Sequence, residues 1–348
     1  MGLTEQYRRL EKHSAFLLKG TKGVVLMKTV TIDHPGKKGL GQRFLKSVRK
    51  YGLFYLFAAP GLIYFLVFNY FPMFLGVLIS LKNYTPFGGK GLAAIFDAEW
   101  AGIYHYKRLL QLPDFYRVLK NTIGISLMKL VVCFPLPIIF ALLLNEVRHV
   151  KFKKTVQTIS YLPHFISVVV IAGLLKTLLD PEGGVLTNVM NSLGFYSETS
   201  FLSDTRFYRP LLVLMNAWMK FGWDSIVYLS AITGVDVQLY EAAAIDGAGR
   251  FKKCIHVTLP AILPTIIVML VLNVGHILDA GFQDILLTYS ELTYSVADVI
   301  DTYVYRLGIN GTSYGLSAAM GLFKSVVGLL LVVGTNKLAN KFGENGLW

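Results

Sequence analysis

Apolar positions gather into six long runs, near residues 51–81, 121–144, 157–179, 210–232, 259–281 and 315–336, with polar, turn-rich stretches between them. Each run approaches or exceeds the roughly 20 residues an α-helix needs to cross a bilayer. Only helices and closed barrels satisfy their backbone inside hydrocarbon, so the pattern predicts an all-α polytopic membrane protein with six transmembrane helices. Pro60, Gly61 and Pro72 predict kinks in the first of them. The organisation that follows is a basic tail over 1–50, a six-helix domain over 51–336 and a short tail over 337–348.

Composition agrees. With 54% hydrophobic and 16% charged residues, against about a quarter charged in soluble domains, a soluble globular domain is excluded. The net charge of +13 is uneven: residues 1–50 hold twelve Lys or Arg against three acids. Such a tail marks the cytoplasmic side and suits anionic headgroups, with nucleic-acid binding the lesser reading. Those residues contain no long apolar h-region, so no cleaved signal peptide is expected. With the N-terminus inside, 21 basic residues lie on the cytoplasmic side outside the spans and nine lie opposite. Both termini are therefore expected in the cytoplasm, with external loops over 82–120, 180–209 and 282–314 to dock a partner. Cys133 and Cys254 stand far apart in unlike surroundings, so neither a disulfide framework nor a metal motif is available.

Between the fourth and fifth runs lies Glu241-Ala242-Ala243-Ala244-Ile245-Asp246-Gly247-Ala248-Gly249, followed by Val257-Thr258-Leu259-Pro260. The pattern reads as a short helix capped by Asp236 or Thr233 and ended at glycine. It is either an ordinary helical loop or a small rigid element that fits a groove on a separate cytoplasmic protein.

This stretch resembles the "EAA" coupling loop of permease subunits in binding-protein-dependent ABC importers. Glu241, Ala242, Ala243, Gly247, Leu259 and Pro260 match in type and spacing, and Val257 replaces an Ile. The similarity continues through Leu142–Arg148, Thr158–Phe165, Asp301–Arg306 and Gly346-Leu347-Trp348, and is greatest to the carbohydrate-uptake, maltose-permease-like class. Within it the chain resembles the complex-oligosaccharide branch, such as alginate or pectin-oligosaccharide importers. The resemblance implies a type I ABC importer permease fold in the bacterial inner membrane. It also implies a second homologous permease subunit, two cytoplasmic ATPase subunits and an extracytoplasmic solute-binding protein. The chain would then be a non-catalytic pathway subunit with no cofactor of its own, ATP and Mg residing on partners. No G-x-x-x-x-G-K-[ST] loop is present, Gly88-Gly89-Lys90-Gly91 being the nearest approach. The resemblance assigns coupling to Glu241, Ala242, Ala243, Asp246, Gly247, Leu259 and Pro260. Glu241 would act as an anion near the helix N-terminus or by pairing with a basic neighbour.

Polar groups inside spans are costly and default to functional candidates. Lys129, Lys176, Lys220 and Lys324 are the intramembrane cations. Lys176 is expected to snorkel or to pair with Asp180, and Lys129 and Lys324 are open to contacts with a partner permease. On the fourth span Asn216, Lys220, Trp223 and Asp224 share one face around the midplane, offering donors, an acceptor and an indole for a sugar ring. The competing reading is a Lys220–Asp224 pair that holds the fold. On the fifth span Asn273, His276 and Asp279 follow at i, i+3 and i+6. In the maltose-like class the substrate contacts come from the corresponding parts of these two helices. A lysine facing the pathway favours an acidic, uronate-type saccharide such as alginate, with a neutral oligosaccharide as the alternative. An ion-coupled secondary transporter using Asp224, His276 and Asp279 as a proton relay is the second class, and a membrane-embedded hydrolase, for which neither an H-E-x-x-H motif nor a G-x-S-x-G elbow is expected, the third.

Overall fold

The computed structural model describes residues 40–86, 91–197 and 199–341, without the side chains of 40–49 and 309. Most of the basic tail, Gly88-Gly89-Lys90 and Gly346-Leu347-Trp348 lie outside the described residues. Among the described residues the secondary structure is helical, apart from an isolated antiparallel bridge between Lys82 and Trp100.

The chain divides into two units, Met1–Phe65 and Leu66–Trp348. The described part of the first is a helix over Leu40–Phe65, interrupted by non-helical dihedrals at Tyr51 and carrying Pro60 in its interior. Phe54, Phe57, Leu62 and Ile63 are all exposed. A helix apolar on every side is one whose solvent is lipid.

The second unit contains the rest of the fold. Pro113–Asn145, Arg250–Gly275 and Tyr314–Lys341 are long and apolar enough to cross a membrane, as is Lys50–Ser80 along the chain. Tyr208–Thr233 has 26 residues, about 39 Å at 1.5 Å per residue, and is less apolar because it carries the polar candidates.

Two expected spans differ. The third is not one helix: Val150–Phe165 and Val168–Leu178 meet at 95°. Pro163 supplies no N–H and disfavours helix in the residue before it, and Ser167 starts a new helix by accepting a hydrogen bond from the Val169 amide at 3.2 Å. The fifth ends at Gly275 rather than near 281. A 3-10 turn over Ile277–Asp279 follows, and Ala280 and Gly281 take left-handed backbone angles that no helix continues through. The expected external loops contain short helices, including Tyr104–Gln111, Val185–Ser192 and Ile300–Tyr305.

Span four lies along span two. Phe140 and Phe221 meet edge to face at 5.0 Å. Ile138, Ala141 and Leu144 share a core with Tyr228, Leu229, Ile232 and Ile262. At the other end Ile125, Tyr208, Leu212 and Met215 pack with Ile171, Ile285 and Val299. Gly222 lets span four approach the first arm of the broken span: a Cβ there would lie 2.1 Å from the Ser160 carbonyl oxygen.

A polar cluster ties 294–306 to spans two and four. The fully buried Asp298 carboxylate accepts hydrogen bonds from Arg306 at 2.5 and 3.2 Å and from the Thr302 hydroxyl at 2.8 Å, with Arg117 at 3.6 Å. Asn121 donates to the Asp298 carbonyl and receives Arg209 at 2.7 Å. A buried carboxylate is tolerated because every side carries a partner.

Candidate substrate pathway and coupling loop

A cavity of about 530 Å³ lies between spans two, four and five and the break in span three, a size typical of small-molecule sites. Span four contributes Asn216, Lys220, Trp223 and Asp224, and the fifth span and its terminal turn contribute Asn273, His276 and Asp279. All seven proposed pathway residues therefore reach one space. Their helical spacing is responsible for the first five, whereas His276 and Asp279 reach it from the cap and the 3-10 turn that end span five. Trp218 is exposed and outside the lining.

The charges are distributed unequally. Lys129 donates to the Ala280 carbonyl at 2.8 Å and approaches Asp284 at 3.3 Å, so its charge holds the left-handed turn after span five. Asp279 receives Lys324 at 2.6 Å and His276 at 3.0 Å, and Lys324 also bridges to Asp301 at 2.7 Å. Lys129 and Lys324 thus both have partners within the chain. Lys220 and Asp224 make no direct ion pair among the described residues, although the two charges act on one another electrostatically. The Lys176–Asp180 pair is absent too. Lys176 is exposed, and Asp180 accepts from the Glu182 amide at 2.8 Å.

Trp223 is held as a plane. His164, from the break in span three, stacks on it at 4.5 Å and 1°, and Phe165 meets it edge-on at 5.4 Å. One face of the indole is thereby covered.

The expected coupling loop forms the helix Val237–Ile245, capped by Asp236, whose carboxylate accepts from the Gln238 amide at 2.9 Å. Thr233 instead bonds back to Ser230. Glu241 lies in the second turn, exposed and without an ion-pair partner among the described residues, so the N-terminal anion is Asp236. Asp246 is the C-cap. Gly247 takes φ +75°, its amide reaching the Ala244 carbonyl at 3.1 Å and the Ala248 amide reaching Ala243 at 2.9 Å. This paired bonding across a left-handed residue stops the helix, which is why glycine stands there. Leu259 packs beside Ile262 in the core, and Pro260 follows the π turn Cys254–Thr258 inside the span Arg250–Gly275.

The family whose members are described as the binding-protein-dependent transport system inner membrane component matches residues 133–342, which include the coupling loop and spans three to six. The chain belongs to this family. This permease is similar to Protein LplB of Bacillus subtilis (strain 168), 43% identical over 310 residues, covering 89% of this chain and 95% of that protein. It is also similar to the polygalacturonan/rhamnogalacturonan transport system permease protein YteP of the same organism, 42% identical over 328 residues, covering 92% and 100%. A solved bacterial ABC transporter involved in import of the acidic polysaccharide alginate matches with TM-score 0.77 and 41% identity, over 86% of this chain and 99% of that one. The bacterial alginate ABC transporter in complex with an alginate pentasaccharide-bound periplasmic protein matches with TM-score 0.78 and 40% identity, over 88% and 100%. The permease accordingly has the type I ABC importer fold.

Sequence reasoning missed several lining residues of the permease, among them Ser126, Cys133, His164 and Tyr228. Pro163 beside His164 was the available signal for the break, since a proline inside an apolar helical run kinks or ends the helix. Gly311-Thr312-Ser313-Tyr314-Gly315 also spells the G-x-S-x-G pattern of hydrolases. It follows a π turn rather than a strand, and among the described residues the Ser313 hydroxyl bonds only to the Gly311 carbonyl at 3.5 Å, so it is no nucleophile elbow.

Proposed function

We propose that this chain, with a second homologous permease subunit, forms the transmembrane pathway of an ATP-driven importer of oligosaccharides, of the acidic, uronate type. An extracytoplasmic binding protein delivers the substrate to the external loops, and two cytoplasmic ATPase subunits seat the helix Val237–Ile245. Both termini face the cytoplasm. The observation that carries the substrate class is the cavity, where Lys220 makes no direct ion pair among the described residues and stands one turn from the Trp223 indole. A cation needs an anion in a low-dielectric space, and an indole face suits the C–H face of a pyranose.

ATP closes the two ATPase subunits, and each coupling helix carries that rigid-body movement into the spans, alternating access to the cavity. A ligand shifts a conformational equilibrium only by its differential affinity for the two states, so ATP and the loaded binding protein both favour the outward-open form. Glu241, Ala242, Ala243, Asp246 and Gly247 present and terminate the docking helix. Leu259 and Pro260 root it on span five.

The neutral-sugar alternative draws on Asp224, one turn along the same helix, whose charge offsets that of Lys220. The ion-coupled alternative draws on the His276–Asp279 contact, yet Lys324 already neutralises that carboxylate. The test is ATP hydrolysis by the assembled complex in lipid, stimulated by binding proteins loaded with oligouronate or with neutral oligosaccharide. Stimulation by the oligouronate-loaded protein is expected. Stimulation by neutral sugar alone refutes the acidic assignment, and failure of any ATPase subunit to associate refutes the importer.

A further inference from the structure

The helix Val237–Ile245 has no buried residue, and of its nine positions Tyr240 and Ala243 alone are less than exposed. One helical turn apart, they mark the narrow strip on which it rests. Ala243 offers a methyl group. Tyr240 offers a long side chain whose hydroxyl lies 2.9 Å from the Thr258 hydroxyl.

Thr258 is 2% exposed and closes the π turn Cys254–Thr258 directly before the helix Leu259–Gly275. Its hydroxyl also lies 3.5 Å from the Lys253 carbonyl, and either hydroxyl can donate in the contact with Tyr240. π turns interrupt helices most often where function needs them.

The chain from the coupling helix into span five passes the left-handed turn at Gly247 and extended backbone at Gly249 before the continuous span Arg250–Gly275 begins. On the other side Gly234, Val235 and Asp236 separate the coupling helix from span four. Both spans are thus joined to it by short irregular segments, and span five is also met by the Tyr240–Thr258 contact. Both spans wall the cavity, so alternating access requires that they move together.

We propose that the Tyr240–Thr258 hydrogen bond is the strut that carries movement of the coupling helix into span five, with both hydroxyls acting as positioning groups. This rests on the reading of Val237–Ile245 as the seat of an ATPase subunit. Tyr240→Phe and Thr258→Val each remove one hydroxyl with little change of shape, and Thr258→Ser keeps it.

The experiment measures oligosaccharide imported per ATP hydrolysed by the full complex in lipid vesicles, a ratio in which differences in the amount of assembled complex cancel. Each hydroxyl deletion is expected to lower the ratio about 2- to 10-fold, the range of one hydrogen bond. The double variant should be no worse than either single one, because both delete the same bond. Thr258→Ser should return the ratio to that of the unaltered chain. Unchanged ratios in both single variants, or losses that multiply in the double variant, overturn the strut. Absence of ATPase subunits from the complex of the unaltered chain overturns the docking reading itself, and the two failures are therefore distinguishable.

Discussion

Replacing Gly222 by alanine sets two effects of known size against each other. Within an exposed helix the change is worth about 1 kcal/mol in favour of alanine. At Gly222 the new Cβ would stand 2.1 Å from the Ser160 carbonyl oxygen and 2.5 Å from its carbon, well inside the roughly 3.5 Å at which non-bonded atoms sit best. The obstructing atoms are backbone, so no rotamer relieves the overlap, and span four must part from the first arm of the broken span. Overpacking of this kind costs about 1–3 kcal/mol, and an immovable partner places it at the upper end. The net expectation is a destabilisation of about 2 kcal/mol. Gly173, in the helix Val168–Leu178 with nothing within 4 Å of its Cβ position, is the control. Gly173→Ala should be neutral or stabilising by up to about 1 kcal/mol. Equilibrium unfolding of the purified chain in mixed micelles, followed by helicity, reads both variants. Equal stability of Gly222→Ala and Gly173→Ala would refute the close approach.

Asp298→Asn leaves Arg306 and Arg117 facing a neutral group, and loss of a buried ion-pair partner costs about 3–5 kcal/mol; the same unfolding assay should show most of it. On the 196–206 loop, hydrogen bonds from Arg206 hold the Asp204 carboxyl at about 2, against a smaller opposing effect of burial. Its stabilising contribution is complete above its ordinary value of 3.8 and vanishes as pH falls through about 2. Proteolysis of the loop between pH 5 and 2 should rise for the natural chain and stay flat for Asp204→Asn. Lys220→Gln should lower uptake of an oligouronate roughly 10-fold or more relative to its carboxyl-reduced form, with Lys220→Arg restoring the preference. Lys129→Met should instead lower the unfolding free energy, because Asp284 loses its ion-pair partner.

The helical content was legible because bilayer length is a strong constraint, and the helix at Val237–Ile245 because Asp236 and Gly247 carry its cap and its stop. Asn216, Lys220, Trp223, Asp224 and Asn273 converge because each occupies the apolar-face spacing of a helix whose neighbour packs along it. What was not legible involved distance in sequence. Lys129 meets Asp284, 155 residues on, and Lys324 meets Asp301 and Asp279, pairs that no local periodicity reports. The end of span five also escaped notice, since the apolar run continues past Gly275 while the backbone turns left-handed at Ala280. The broken third span hid for a related reason: hydropathy averages over Pro163, whereas the backbone does not.

Oligouronate import into sealed vesicles by the complete complex, with ATP supplied at the ATPase side and the loaded binding protein at the other, tests the central claim most directly. The account predicts uptake that needs ATP, persists when ionophores collapse ion gradients, and is lost when Glu241→Ala and Gly247→Asp are combined. Uptake that ignores ATP, collapses with ionophore and survives the double substitution would contradict it.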